Sequence, residues 1–252
     1  MYSTGQPSCR TATPRGVSDT RHIFCPSQGV PPPPPSSPRF PGSQLVTVEW
    51  GETLTGWVGA ETWELCYSSF TTDATTPRLF HQSCDGYSTT LTVAHIAGGT
   101  YRGESVKGCN APPCVNHGNR TFGAYAVGSW SLEACCKSLG NECHRTDGYC
   151  HDRSASADFL FGLWPGPPAR FLPKNTTGYQ TVASSYWPVW GDGRSYGNDL
   201  DMGGTGVLGA DSYCNQGSSY DGSLNKICGG VQNWGQTEME VWRIATPRGP
   251  RG

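Results

Sequence analysis

Twelve cysteines constrain this 252-residue chain more than any other feature: Cys9, Cys25, Cys66, Cys84, Cys109, Cys114, Cys135, Cys136, Cys143, Cys150, Cys214 and Cys228. Their number is even. In an oxidising compartment such a set closes into disulfides, and each closed loop removes conformations from the unfolded chain. Joining near neighbours costs the least loop entropy. The expected pairs are Cys9–Cys25, Cys66–Cys84, Cys109–Cys114 and Cys214–Cys228, with Cys135, Cys136, Cys143 and Cys150 paired among themselves. Connectivity within that last group stays open. Zinc is the competing reading of Cys135-Cys136, Cys143-His144 and Cys150-His151, but the spacings do not follow the paired patterns of structural zinc sites.

The rest of the composition agrees with a secreted β protein. Charged residues make up only 15%, aromatics reach 11%, and 34 residues are glycine. Strands joined by many turns suit that mixture; long helices and disorder do not. Net charge is -2, which gives no electrostatic footprint for nucleic acid. No apolar run is long enough to cross a membrane as a helix, so membrane insertion is not expected. The first residues carry no apolar h-region. The cysteines still argue for secretion, so the expectation is that the natural start lies upstream or that a leader has been removed.

Two regions follow, 1–44 and 45–252. The first is read as an extended arm. Pro31, Pro32, Pro33, Pro34 and Pro35 lock φ and remove backbone donors, so the stretch is a stiff polyproline II rod. With Ser36 and Ser37 it resembles the hydroxyproline-rich, O-glycosylated segments of plant and algal extracellular glycoproteins. Beyond it, alternation of apolar and polar residues predicts strands at 45–50, 63–67, 90–96, 121–127 and 238–244. The nearly continuous apolar run 158–164 predicts a strand buried on both faces. Short helices are expected at 76–84, from Thr76 and Pro77, and at 131–140, from a Ser131 cap. The expected fold is mainly β: an antiparallel β-sandwich with one or two short helices and an extended N-terminal arm.

Several of these segments, in order, resemble a TLDc domain. Trp63-Glu64-Leu65-Cys66-Tyr67 and Leu79-Phe80-His81-Gln82-Ser83-Cys84-Asp85 are similar to that family's opening motifs. Thr89-Thr90-Leu91-Thr92-Val93 resembles its first long strand, and Phe122-Gly123-Ala124-Tyr125 with Gly128-Ser129-Trp130 its FGgY…W motif. Ser156 to Leu163 resembles its sFLFsL strand. Gly191-Asp192-Gly193-Arg194, Asp199-Leu200-Asp201-Met202 and Glu238-Met239-Glu240-Val241-Trp242 resemble its glycine-rich turn, late strand and closing strand. The resemblance covers about residues 45–245 and implies a β-sandwich. Cysteine-bearing inserts at 108–117 and 135–150 depart from the intracellular members, so their oxidation-resistance role is not carried over. The family supplies no catalytic residues to transfer.

Candidate sites are few. Asn119-Arg120-Thr121 and Asn175-Thr176-Thr177 are N-glycosylation sequons, so Asn119 and Asn175 are expected to carry glycans. Pro31–Pro35, Ser36 and Ser37 are expected to carry O-linked sugars. The loop 191–201 offers Asp192, Asp199 and Asp201 on a glycine-rich run, the oxygen chemistry Ca²⁺ takes. Trp187 and Trp190 beside it suggest a stacking platform for a sugar ring. The competing reading makes the acids turn-formers and the tryptophans core. His81 and His95 fall in predicted elements, where a hydrogen-bonded structural role is expected. No hydrolase, zinc-protease or phosphate-loop motif is present, so no enzyme is expected. The expected function is a secreted structural glycoprotein, assembling head-to-tail with other copies of itself through the arm. The alternative is an extracellular carbohydrate-binding module, with calcium as its one candidate cofactor.

Overall fold

A computed structural model describes residues 38–71, 76–96, 120–137, 142–144, 148–152, 157–163, 167–174, 180–191, 198–203, 208, 212–214, 219–221, 227–228, 233–234 and 237–245. Cys9, Cys25, Cys109, Cys114, Asn119, Asn175, Asp192 and the Pro31–Ser37 stretch lie outside these residues.

Among the described residues the fold is mainly β, as expected. One sheet has six strands in the order β1 (Trp63–Ser68), β13 (Glu238–Ile244), β2 (Thr89–Ile96), β3 (Arg120–Val127), β6 (Phe159–Gly162), β7 (Ala169–Phe171). The other has seven, in the order β12 (Asn233–Trp234), β11 (Ser212–Cys214), β10 (Leu200–Asp201), β9 (Val189–Trp190), β8 (Gln180–Ala183), β5 (Tyr149–Asp152), β4 (Glu142–His144). Every pairing is antiparallel.

The six-stranded sheet is buried on both faces, and side-chain alternation sorts its residues. Ala94, Phe122, Ala124, Ala126, Leu160, Met239 and Val241 join the core that also holds Val182, Trp190 and Leu200 of the second sheet. Leu91, Val93, Tyr125, Phe159, Phe161 and Trp242 point the other way, into a second core covered by Phe40, Leu45, Val46 and Leu54. Gly123 on β3 permits this packing: a Cβ there would overlap the Thr92 carbonyl oxygen and lie 2.7 Å from the Phe161 ring.

That covering layer corrects one expectation. Residues 45–50 were expected to form a strand; instead Val48–Val58 is an α-helix, α1. Thr47 is its N-cap and accepts from the Trp50 N–H at 3.3 Å. Gly59 closes it in the left-handed region at φ 77°, its N–H reaching the Thr55 carbonyl. The six residues from Leu45 to Trp50 happen to alternate. The longer pattern Trp50, Leu54, Trp57, Val58 is helical, and these four residues pack on the second core. Residues 39–44, assigned by sequence to the arm, pack on the same core through Phe40, which has no exposed surface.

Both anticipated helices are present, α2 (Pro77–Cys84) and α3 (Leu132–Lys137), and with α1 they make three helices among the described residues, where one or two were expected. Pro77 sits in the first turn of α2, and Thr76 holds the N-cap position without a side-chain bond. Ser131 caps α3 through the Ala134 N–H. Four disulfides tie these elements together: Cys66–Cys84, Cys135–Cys150, Cys136–Cys143 and Cys214–Cys228, with Cα separations of 5.5, 6.2, 5.1 and 6.4 Å. The expected local pairings at 66–84 and 214–228 are formed, and the open connectivity resolves as 135–150 and 136–143.

Candidate functional site

The best-built polar site of the described chain lies where the N-terminal region joins the domain. Arg39 lies beside β1: the Trp63 N–H donates to the Arg39 carbonyl at 3.0 Å, and Arg39 Nη1 donates to the Glu61 carbonyl at 2.8 Å. Phe40 stacks on Trp63 with centroids 5.3 Å apart and meets Trp242 edge-on at 5.2 Å. Ser43 Oγ then donates to Glu240 Oε2 at 2.5 Å, the Gln44 N–H to Oε1 at 2.7 Å, and Trp242 Nε1 to Oε2 at 3.2 Å. Ser43 Oγ in turn accepts from the Val46 N–H at 2.8 Å. Glu240 is 1% exposed. Burial pushes its carboxyl above the ordinary range, against the pull of the hydrogen bonds it accepts. Its chemistry is to receive donors, and those donors fasten residues 39–46 onto the six-stranded sheet.

Sequence reasoning did not find this node. One signal was available: Glu240 shares a strand face with Trp242 and Ile244, so it places an acid beside large apolar side chains. Such a residue needs donors from elsewhere in the chain.

The 187–201 region is built differently from the expected ligand site. Trp187 is 1% exposed and Trp190 has no exposed surface. Trp187 packs on Tyr67 with centroids 5.6 Å apart, and Trp190 meets Trp130 edge-on at 5.3 Å. Both rings fill the inter-sheet core, which corrects their assignment as a sugar-stacking platform: neither turns a face to solvent. Asp199 and Asp201 are buried and engaged. Asp199 Oδ2 accepts from the Ser219 N–H at 2.8 Å. Asp201 Oδ1 accepts from the Gly203 N–H at 2.9 Å and Oδ2 from Asn198 Nδ2 at 3.1 Å. The Asn198 N–H reaches the Tyr213 phenol at 3.1 Å, whose pKa burial pushes up. These carboxylates brace Asn198, Gly203 and Ser219 against β10. Among the described residues no group of three acids, histidines or cysteines is placed to hold a metal ion.

His81, His95 and His151 are tied into structure. His81 faces Asp85 Oδ1 through Nδ1 at 2.6 Å, and its Nε2 donates to the Tyr186 carbonyl at 2.9 Å. His95 Nδ1 lies 3.0 Å from Thr121 Oγ1, and burial lowers its pKa. His151 Nδ1 lies 3.2 Å from Thr181 Oγ1.

No protein-family model and no curated protein matches the chain.

Proposed function

We propose that this chain is a secreted, disulfide-stapled structural glycoprotein whose N-terminal arm joins one copy to the next, head-to-tail, in an extracellular filament or surface layer. The observation that carries this reading is the anchored root of the arm. Residues 39–46 are fixed by the Phe40 stack and the Glu240 hydrogen bonds, and the five prolines that precede them in sequence favour a stiff, extended chain. A rigid arm loses little conformational entropy when it docks. A head-to-tail contact that does not close on itself propagates.

Other features support the same reading. Four disulfides cross-link the described domain, as suits a protein working outside the reducing cytosol. No helix among the described residues is long and apolar enough to cross a membrane. Asn119 and Asn175 are the sites for N-glycans, and the Pro31–Ser37 stretch is the site for O-linked sugars. The TLDc-like order of motifs bears on the ancestry of the sandwich and supplies no chemistry. Carbohydrate binding loses support with the burial of Trp187 and Trp190.

The test compares the full chain with one lacking residues 1–37. The truncation stops there because Phe40 and Ser43 belong to the core. Both are imaged by negative-stain microscopy and sized by light scattering under identical conditions. Filaments from the full chain and monomers from the truncated chain are expected. A full chain that stays monomeric at high concentration, or a truncated one that polymerises equally well, overturns the arm-exchange reading.

A further inference from the structure

Cys135, Cys136, Cys143 and Cys150 form one sulfur cluster rather than two separate staples. Cys135 and Cys136 are adjacent on α3. Each is bonded to one member of the β4–β5 hairpin, Cys135 to Cys150 and Cys136 to Cys143. On that hairpin Cys143 and Cys150 are direct register partners. Directly opposed residues of an antiparallel pair project on the same face with Cβ atoms about 4.5–5.5 Å apart, and their Cα spacing falls in the range that a disulfide spans. A third pairing, Cys143–Cys150, is therefore within reach once the two Cβ atoms close by about 1 Å to the spacing a disulfide needs.

Burial is unequal within the cluster. Cys135 is 2% exposed and Cys150 has no exposed surface, whereas Cys136 and Cys143 are both partly exposed. The other two described disulfides each contain at least one fully buried member, Cys84 in one and both Cys214 and Cys228 in the other. Attack by a dissolved thiolate needs access to sulfur. Cys136–Cys143 is thus the described bridge most open to it.

We infer that this cluster is a thiol–disulfide exchange site, opened at Cys136–Cys143 by a small external thiol and able to pass the bridge inward to Cys143–Cys150. The thiolate attacks Cys136 sulfur, forms a mixed disulfide there and expels the Cys143 thiolate. Cys143 then attacks the sulfur of its register partner Cys150. That forms Cys143–Cys150, breaks Cys135–Cys150 and leaves Cys135 as a thiolate. A second external thiolate attacks the small-molecule sulfur of the mixed disulfide, releasing Cys136 and the oxidised small-molecule dimer. Both protein thiolates take up the protons lost by the two external thiols. Two thiols have become one disulfide, and the protein has lost one of its own. The product retains a bridge across the β4–β5 hairpin but has released α3, and it presents two adjacent thiols at Cys135 and Cys136.

The test uses the intact, fully oxidised protein and needs no variant. Reduced glutathione is added at about pH 8, where thiolate is available for exchange, and a phosphine reductant is used in parallel at about pH 3, where thiolate is suppressed. Both reactions are stopped by acid, free thiols are alkylated without raising the pH, and linkages are mapped by mass spectrometry. In acid the first cysteines labelled should be Cys136 and Cys143, with Cys135–Cys150 intact. With glutathione, a Cys143–Cys150 linked peptide should become the main form among molecules that have lost one bridge, together with labelled Cys135 and Cys136. Two results overturn the inference: another described disulfide opening first, or Cys136–Cys143 opening with no Cys143–Cys150 linkage at any time.

Discussion

Ser43 Oγ donates a 2.5 Å hydrogen bond to Glu240 Oε2 across 197 residues of chain. The bond joins the start of the folded domain to its last strand. Glu240 stands between β1 and β2 in the six-stranded sheet, opposite Ser68 and Val93, so the contact ties residues 39–46 to the middle of the fold. Ser43→Ala removes a donor from a buried carboxylate and an acceptor from the Val46 N–H. Hydrogen bonds to charged groups contribute about 1.5–3 kcal/mol. The variant is expected to lose about 2–3 kcal/mol in urea unfolding, seen as a lower midpoint with an unchanged slope.

Two groups, the buried Glu240 and the half-buried His95, tilt the pH dependence of stability in opposite directions. The Glu240 carboxyl is raised from its ordinary 4.5, chiefly by burial. The folded state therefore holds that proton more tightly, and stability falls as pH rises from about 4.5 through the folded value. His95 is lowered from its ordinary 6.5, again by burial and partly offset by Glu238. The folded state prefers the neutral ring, so stability falls as pH drops from about 6.5 through the folded value. Unfolding free energy measured across this window should separate the two. Glu240→Gln should remove a component that declines with pH, and His95→Gln one that rises with pH. Unchanged slopes in both variants would contradict the assignment.

Two glycines respond oppositely to a methyl group. Gly123→Ala drives a Cβ into the Thr92 carbonyl and the Phe161 ring in the middle of a sheet buried on both faces, where strand pairing leaves the backbone no room to yield. The expected loss is about 3 kcal/mol. Gly56 lies exposed within α1 and its added Cβ meets nothing within 4 Å. Gly56→Ala should gain about 0.5–1 kcal/mol from helix propensity. Thermal or urea unfolding of both variants gives the comparison.

What the sequence made legible follows strand length. β2, β3 and β13 have seven or eight residues, long enough for alternation to repeat, and the fully buried β6 shows as a continuous apolar run. The seven-stranded sheet consists of strands of two to four residues. A run that short holds about one period, so no pattern separates it from a turn. At α1 the alternating window at 45–50 was too narrow to expose the longer helical spacing. The pairings 66–84 and 214–228 were readable because loop closure favours neighbours. The tryptophans beside the acidic loop were ambiguous because a ring's composition is the same in a core and on a binding face; only burial separates the two. Glu240 was missed because its partners lie at the far end of the chain.

The hydrogen bonds of Asp199 give the calcium reading a direct trial. Its Oδ2 accepts from the Ser219 N–H at 2.8 Å, and its own N–H donates to the Trp190 carbonyl at 2.8 Å. The carboxylate thus joins the segment at Ser219 to the β9–β10 pair. If bracing is its whole task, Asp199→Ala strands a buried N–H and should cost about 2 kcal/mol. Asp199→Asn keeps an acceptor oxygen and should cost less than half of that. Neither loss should change when calcium is added or removed by a chelator. A calcium site makes the opposite demand: the wild-type midpoint would rise with calcium, because a ligand that binds only the folded state stabilises it. Asparagine would then abolish that rise nearly as well as alanine, since the charge and not the hydrogen bond would be lost. Unfolding midpoints of the three proteins, with and without calcium, therefore decide between a brace and a binding loop. The contacts of Asp199 and Asp201 with backbone and side-chain N–H groups predict the brace.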